Sequence, residues 1–412
     1  MLGGCAFILT KALLSMVLGP GETPTDGNPV WKLILALSYL SVAGILVAHH
    51  REAFFAVRRN WFLVALVLVA LVSCLWAEMP TLVLRRGIAV FGTTLFGVAL
   101  AVRLSLEEQL RLMSWVFRII AVLSLACIVL APSYGISDWV EHQGEWRGIF
   151  DHKNGLGSVM ALSILVEWHL PTQTRFSVAL NRLALVLSAV LLIFSSSMTP
   201  MIALAASLLF LQIYKFAMQR LRIPVYAIVL ATLLMIASGA TMLFIDSERV
   251  TSALGRTSDL TGRTEIWGRV MSYIPERPVL GYGYSGFWYG ASSKSLTVDQ
   301  VMGTRIMYSH NGYLEILLTL GAVGLLLALG FLATGIKRAF DLSERHQSSV
   351  YLWPLAFLFF LTVHNIGECT ILLQDLEWAL CVATIVSADA TLFATEDEQE
   401  EEFLLLPSEE FT

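Results

Sequence analysis

The sequence predicts an all-α polytopic membrane protein with about 12 transmembrane helices and one large, partly helical extracytoplasmic loop. Three observations predict it. Hydrophobic residues make up 56% of the 412-residue chain and charged residues only 14%, where a soluble domain carries about 25% charged. Mean hydropathy is +0.70. Apolar runs recur along the chain, most of them near the length a bilayer core requires, about 20 residues.

The runs fall near residues 3–19, 31–48, 61–77, 83–102, 112–131, 156–170, 183–198, 199–214, 224–245, 311–335, 350–367 and 377–393. The first is interrupted by Lys11, follows no basic region and precedes Gly21-Glu22-Thr23-Pro24 without a clear small-residue cleavage site. It reads as a retained span rather than a removed signal. Ser195-Ser196-Ser197-Met198-Thr199-Pro200 separates two runs by a polar turn with a proline stop. One fused helix there would overshoot a bilayer. Residues 1–393 are thus a membrane domain. From Thr395 to Thr412 there are eight acidic residues and no basic one. This segment, 394–412, reads as a disordered acidic tail, with Phe403-Leu404-Leu405-Leu406 as its one apolar patch.

Lys and Arg set the orientation. With the N-terminus in the cytoplasm, the short inner loops hold Arg51, Arg58, Arg59, Arg103, Arg111, Arg118, Arg175, Arg182, Lys215, Arg220, Arg222, Lys337, Arg338 and Arg345. The short outer loops hold Arg85, Arg86, Arg147 and Lys153. Both termini are then cytoplasmic and the long loop lies outside. A net charge of -5 says little, because membrane chains sort charge by side. It gives no reason to expect a nucleic-acid partner. Cys5, Cys74, Cys127, Cys369 and Cys381 lie in or beside apolar runs without metal-like spacing. They read as small packing residues.

Residues 246–310 are the long polar segment among the apolar ones. They carry Arg249, Arg256, Arg263, Arg269, Arg277, Lys294 and Arg305, and an aromatic, glycine-rich run from Gly281 to Gly290. Such a loop suits an anionic, sugar-like ligand, or is a decorated connector.

Four outer stretches carry candidate chemistry. In Trp146-Arg147-Gly148-Ile149-Phe150-Asp151-His152-Lys153-Asn154-Gly155, a helix start beside two cations suits a phosphate; the plain alternative is a capped loop. From Thr264 to Ile274 the pattern reads as an amphipathic helix that Pro275 ends. Arg263 stands at its start, and a guanidinium fork suits a diphosphate. Trp267 and Tyr284 offer flat faces for sugar rings, or belong to an interfacial belt. Ser309-His310-Asn311-Gly312-Tyr313-Leu314-Glu315 places an imidazole at a helix mouth on the arginine-rich side, a position for a general base. The serine turn at 195–200 supplies hydroxyls at most. Arg86 has the bland reading of an interface anchor.

At these residues the sequence resembles the O-antigen ligase and polymerase superfamily. The shared patterns are Arg147-Gly-x-Phe-x-His-Lys-Asn, Gly262-Arg263-x-x-x-Trp267, Pro278-x-x-Gly281-x-Gly283 and Ser309-His310-Asn311-x-x-Leu314-Glu315. The His-Lys-Asn form and the Gly-Tyr-Gly run are most similar to its exopolysaccharide polymerase branch. The resemblance covers residues 84–325. It implies a GT-C-like bacterial inner-membrane protein, acting at the periplasmic face. It implies transfer of glycan from undecaprenyl diphosphate to a sugar hydroxyl, with inversion and without metal or other cofactor. His310, Arg263 and Arg147 match the catalytic positions. Arg86, Lys153, Asn154, Trp267, Tyr284 and Asn311 are the expected diphosphate- and glycan-binding residues. Membrane lipids, a flippase and a chain-length regulator are the expected partners. Two alternatives stay open: a ligase that joins glycan to lipid A-core or protein, and a membrane transporter. Against the transporter, the basic residues of the candidate stretches gather on the outer face and Lys11 is the charge well inside a run.

Overall fold

The described apolar runs fold as helices, the open-chain form that satisfies its backbone groups within one segment. The computed structural model describes residues 1–12, 29–138, 142–216, 259–288, 293–303, 305–346 and 348–405. In chain order the helices are α1 (Leu2–Leu9), α2 (Pro29–Ala48), α3 (His50–Arg59), α4 (Trp61–Val72), α5 (Pro80–Arg103), α6 (Leu106–Leu130), α7 (Pro132–Gly135), α8 (Lys153–His169), α9 (Arg175–Ser195), α10 (Met198–Phe216), α11 (Asp259–Tyr273), α12 (Ser293–Met302), α13 (Gly312–Arg345), α14 (Ser349–Gly367) and α15 (Leu376–Leu405). Outside them, among the described residues, one isolated antiparallel bridge joins Ile136 to Trp146.

The polytopic helical class stands; the described residues support fewer spans than the twelve expected. Among the described residues seven helices are long and apolar enough to cross a bilayer: α5, α6, α9, α10, α13, α14 and residues 376–394 of α15. Counting the bent pair Lys32–Ala48 and His50–Arg59, which meet at 97°, gives eight. Hydropathy counts apolar residues without knowing what they face. The run at 156–170 becomes α8, 17 residues long, with Leu156, Val159, Met160, Leu162 and Leu165 all buried. It is apolar because it is wrapped by α6, α9, α10 and α14. The run at 61–77 becomes a 12-residue helix and a 3₁₀ turn, Ser73–Leu75. The run at 224–245 lies outside the described residues, as does the end of the first, 13–19.

Local signals fix the hairpins. Ser105 and Glu108 form a reciprocal cap at the start of α6, and Thr174 and Ser177 do so at α9. Ser196 takes a left-handed conformation, φ 53°, to turn α9 into α10. The up-and-down order sorts helix ends into two groups. The starts of α5, α8, α10, α13 and α15 and the end of α14 share one end of the bundle. The expected inner-loop cations gather at the other. There Arg118 pairs with buried Glu167 at 2.6 Å, and Arg59 and Arg338 both pair with Asp389.

The long loop is built into the bundle at a helix break. Gly321 interrupts α13 with φ 66°, ψ −165°. Carbonyls of Leu318 and Thr319, freed by the break, accept from the amides of Tyr282 and Gly283 at 3.0 and 2.8 Å. Amides of Ala322 and Val323 donate to the carbonyls of Pro278 and Val279 at 2.8 and 3.2 Å. Each such group left unpaired in an apolar interior costs about 1–3 kcal/mol, so the break and the Pro278–Gly283 segment stabilise one another. Tyr282, Phe287 and Trp288 then pack with Ile266, Trp267 and Val270 of α11.

α11 ends at Tyr273 and a 3₁₀ turn, Ile274–Glu276, follows. This is the helix and the proline stop that the sequence predicts. Residues 246–258 of the loop lie outside the described residues. At the chain's end, the α15 helix runs on to Leu405, into the segment expected to be disordered. Its Glu, Gln and Leu residues are good helix formers and prolong the span's helix. Residues 406–412 lie outside the described residues.

Candidate active site at the loop-bearing end

Glu368 is the hub of the site. It follows the last residue of α14 and is 6% exposed. Arg263, from α11, reaches it with Nη2, donating to Oε1 at 3.0 Å. Arg263 Nη1 donates to the carbonyl of Gly367 at 2.5 Å and to Thr199 Oγ1 at 3.0 Å. Of the five N–H donors of a guanidinium, these bonds occupy three. Nε–H and one Nη2–H lie outside them. Gly367 lets these groups approach: a Cβ would stand 2.9 Å from Thr199 Oγ1 and 3.0 Å from Arg263 Nη1, and both side chains would have to shift.

His310 approaches the same carboxylate from the other side. Its Nδ1 lies 3.8 Å from Glu368 Oε2, an ionic separation too long for a hydrogen bond. Among the described residues Nδ1 has no hydrogen-bond partner. The residue sits in the left-handed region, φ 51°, costly for a non-glycine. Its neighbours enforce that geometry. Trp267 Nε1 donates to the Ser309 carbonyl at 2.8 Å. The Ser309 amide donates to Glu315 Oε2 at 2.9 Å, and Asn311 Oδ1 caps α13 by accepting from the amides of Tyr313 and Leu314. The Tyr308 ring lies 4.3 Å from the imidazole.

Asn154 completes the cluster from the first turn of α8. Its Nδ2 donates to Glu368 Oε1 at 2.8 Å, and its Oδ1 accepts from Ser197 Oγ at 3.0 Å. Burial opposes ionisation of Glu368. His310, Arg263 and His364 outweigh it and hold the carboxyl at about 2, below the usual carboxylate range. Glu368 is therefore a fixed anion between the Arg263 guanidinium and the His310 imidazole. His152, which caps α8, is pushed down to about 4 by burial and by neighbouring His142.

The structure thus joins Arg263, His310 and Asn154, with Trp267 and Asn311 positioning the histidine loop. It does not join the others. Arg147 Nε donates to the Tyr134 carbonyl at 2.5 Å and its guanidinium lies over the Tyr134 ring. Its contacts do not reach the Glu368 cluster. Lys153 is buried and paired with Glu145 at 2.8 Å. Arg86, 5% exposed, donates to the Ser285 carbonyl at 2.5 Å and ties α5 to the loop. Tyr284 is buried, its hydroxyl on the Leu372 carbonyl at 2.6 Å. Burial of the Trp267 and Tyr284 rings places them inside the protein, holding the loop, rather than as open faces for a sugar.

Sequence reasoning missed Glu368. Its signal was the polar close of an apolar run, His364-Asn365-Ile366-Gly367-Glu368, at the end where the other motifs gather. It falls beyond the stretch that carries the resemblance.

Residues 183–329 match the family described as O-Antigen ligase. The matched family is the O-antigen ligases. Arg263, Trp267, Tyr284, His310 and Asn311 lie inside the matched segment; Arg147, Asn154 and Glu368 lie outside it. The chain is also similar to the exopolysaccharide production protein ExoQ of Rhizobium meliloti, 29% identical over 118 residues, 27% of this chain and 27% of that protein. It is similar to the ComP-specific O-oligosaccharyltransferase of Acinetobacter baylyi, 21% identical over 250 residues, 59% of this chain and 45% of that protein. The matched stretches span less than half of each relative's length.

Proposed function

We propose that this chain is a multi-pass inner-membrane glycosyltransferase of GT-C-like architecture. It transfers glycan repeat units from undecaprenyl diphosphate to a sugar hydroxyl, at the periplasmic face, in exopolysaccharide or O-antigen synthesis. The observation that carries this reading is the convergence of Arg263 and His310 on Glu368. The O-antigen ligase match and the exopolysaccharide relative support the glycan-transfer class.

In this reading the acceptor hydroxyl gives its proton to His310 as its oxygen bonds to the anomeric carbon. The bond from that carbon to the diphosphate oxygen breaks, so direct displacement inverts the configuration. Charge develops on the departing diphosphate, where Arg263 donates through the N–H groups outside its protein bonds. Preorganised donors of this kind are worth about 10²–10³ in rate each, and general base catalysis about 10²–10⁴. Glu368 holds Arg263 in place and stabilises the imidazolium once His310 has taken the proton. Arg147 is assigned to the diphosphate's approach. Asn154 fixes the Glu368 carboxylate. The lipid tail stays in the bilayer while its head meets the site, which agrees with a cluster built from helix ends. Guanidinium groups carry the phosphate charge, with no metal or cofactor in the scheme. A flippase and a chain-length regulator are the partners this role calls for.

The test is purified protein in lipid with a lipid-linked repeat unit, scored for higher oligomers. Their formation supports a polymerase. Transfer to protein or lipid A-core instead supports the ligase reading, which the similarity to an O-oligosaccharyltransferase favours. Solute movement across vesicles without any glycan transfer contradicts both.

A further inference from the structure

A cavity of about 260 Å³ opens beside the Glu368 cluster, walled by the ends of α1, α8, α14 and α15. Three side chains of its wall form a directed chain that the mechanism above does not use. Glu377 Oε2 lies 3.0 Å from His364 Nδ1, and His364 Nε2 lies 3.2 Å from Ser158 Oγ. His364 is 0% exposed and Glu377 7%. The carboxylate beside Nδ1 makes that nitrogen a donor. Nε2 and Ser158 Oγ share one hydrogen bond. The rest of the hydroxyl's hydrogen-bonding capacity faces the cavity, matched to a hydroxyl-bearing ligand.

The rest of the wall narrows the class. Glu368, Asp375 and Glu377 border the space with Lys11 beside them, so carboxyls outnumber the lysine and the wall suits O–H donors over a phosphate. Phe150 and Tyr308 add ring surface. One water needs about 10–15 Å³ on this measure, so about 260 Å³ has room for a sugar ring. Glu368 belongs both to this wall and to the Arg263–His310 cluster, so a ring seated here lies next to the base.

Resting on the transfer reading, we propose that this cavity is the acceptor subsite. It takes an uncharged, hydroxyl-rich sugar ring, with Ser158, held by His364 and Glu377, as the specificity-determining contact. The arginine side takes the diphosphate.

The test uses the full chain in lipid nanodiscs with three probes: neutral methyl glycosides of glucose, galactose and mannose, glucuronate, and inorganic diphosphate. Binding is read by saturation-transfer NMR. At least one methyl glycoside binds, and glucuronate binds tenfold or more weakly. Ser158→Ala weakens the glycoside by about 3–10-fold, the size of one net hydrogen bond, and leaves diphosphate binding unchanged. Ser158→Thr, which keeps the hydroxyl, restores the glycoside. The proposal is overturned if no methyl glycoside binds, if glucuronate binds as well as the neutral rings, or if Ser158→Ala binds them like the wild type. Sugar binding by a protein inactive in transfer supports this subsite and counts against the transfer reading alone.

Discussion

Arg263 and Glu368 lie 105 positions apart in sequence and meet through Nη2 and Oε1 at 3.0 Å, joining the long loop to the end of α14. The same carboxylate faces His310 Nδ1. One buried anion therefore sets the separation of the two groups that the transfer reaction needs.

Glu368→Gln keeps the size and removes the charge. Arg263 loses its ionic partner, and the imidazolium formed at His310 loses its stabilising anion. Transfer falls by about 10²–10³, the range for a lost preorganised electrostatic contact, with insertion unchanged. The check is product formation against protein quantified in membranes. A wild-type rate would remove Glu368 from the mechanism.

Trp267→Phe deletes one N–H and leaves the Ser309 carbonyl without that donor. The strained backbone at His310 then relaxes. The expected cost is about 1–3 kcal/mol in stability of the histidine loop, seen as lower kcat with little change in donor KM. Equal loss through KM alone would contradict a positioning role.

Gly321→Ala strains the break in α13. Its φ is 66°, and a Cβ would meet the Val279 carbonyl oxygen at 2.2 Å. The Pro278–Gly283 segment has to leave the break, exposing Arg277 to trypsin. Limited proteolysis should show faster cleavage there than in the wild type, and unchanged kinetics would mean the patch does not hold the loop.

Acidity should act through two carboxyls of opposite sign. Burial raises Asp375 to about 7 from an ordinary 3.8, with Lys11 opposing. Its raised folded value favours the native state below about pH 4 and loses that contribution as pH rises through about 7. Glu368 is held low, at about 2. It stabilises above its ordinary 4.5 and loses that contribution as pH falls towards 2. Thermal unfolding in detergent against pH checks both. Asp375→Asn should flatten the decline between pH 4 and 7, and Glu368→Gln the decline on the acid side.

Much of this was legible in sequence, for identifiable reasons. Spans announce themselves by composition, and α11 with its proline stop by pattern. Arg263 and His310 stand out as polar groups at the mouths of apolar runs. Three things were not legible. α8 reads as a span because a helix buried in protein is as apolar as one buried in lipid. The Gly281–Trp288 run reads as a ligand surface because glycines and aromatics serve a helix patch and a sugar site equally well. Glu368 gains its meaning from a contact with Arg263 across 105 positions, which no local pattern records. Arg147 shows the converse, since a motif match placed it in the centre while its guanidinium lies on Tyr134.

The central claim is that Arg263 and His310 act on one substrate around one carboxylate. The most direct measurement is the rate of oligomer formation from a lipid-linked repeat unit by His310→Ala, Arg263→Ala and the double variant, each shown to be inserted. Groups acting as a unit are grossly non-additive. The account predicts that each single variant loses about 10²–10⁴ in rate, and that the double variant loses little more. Wild-type rates in either single variant, or losses that simply multiply, would contradict it.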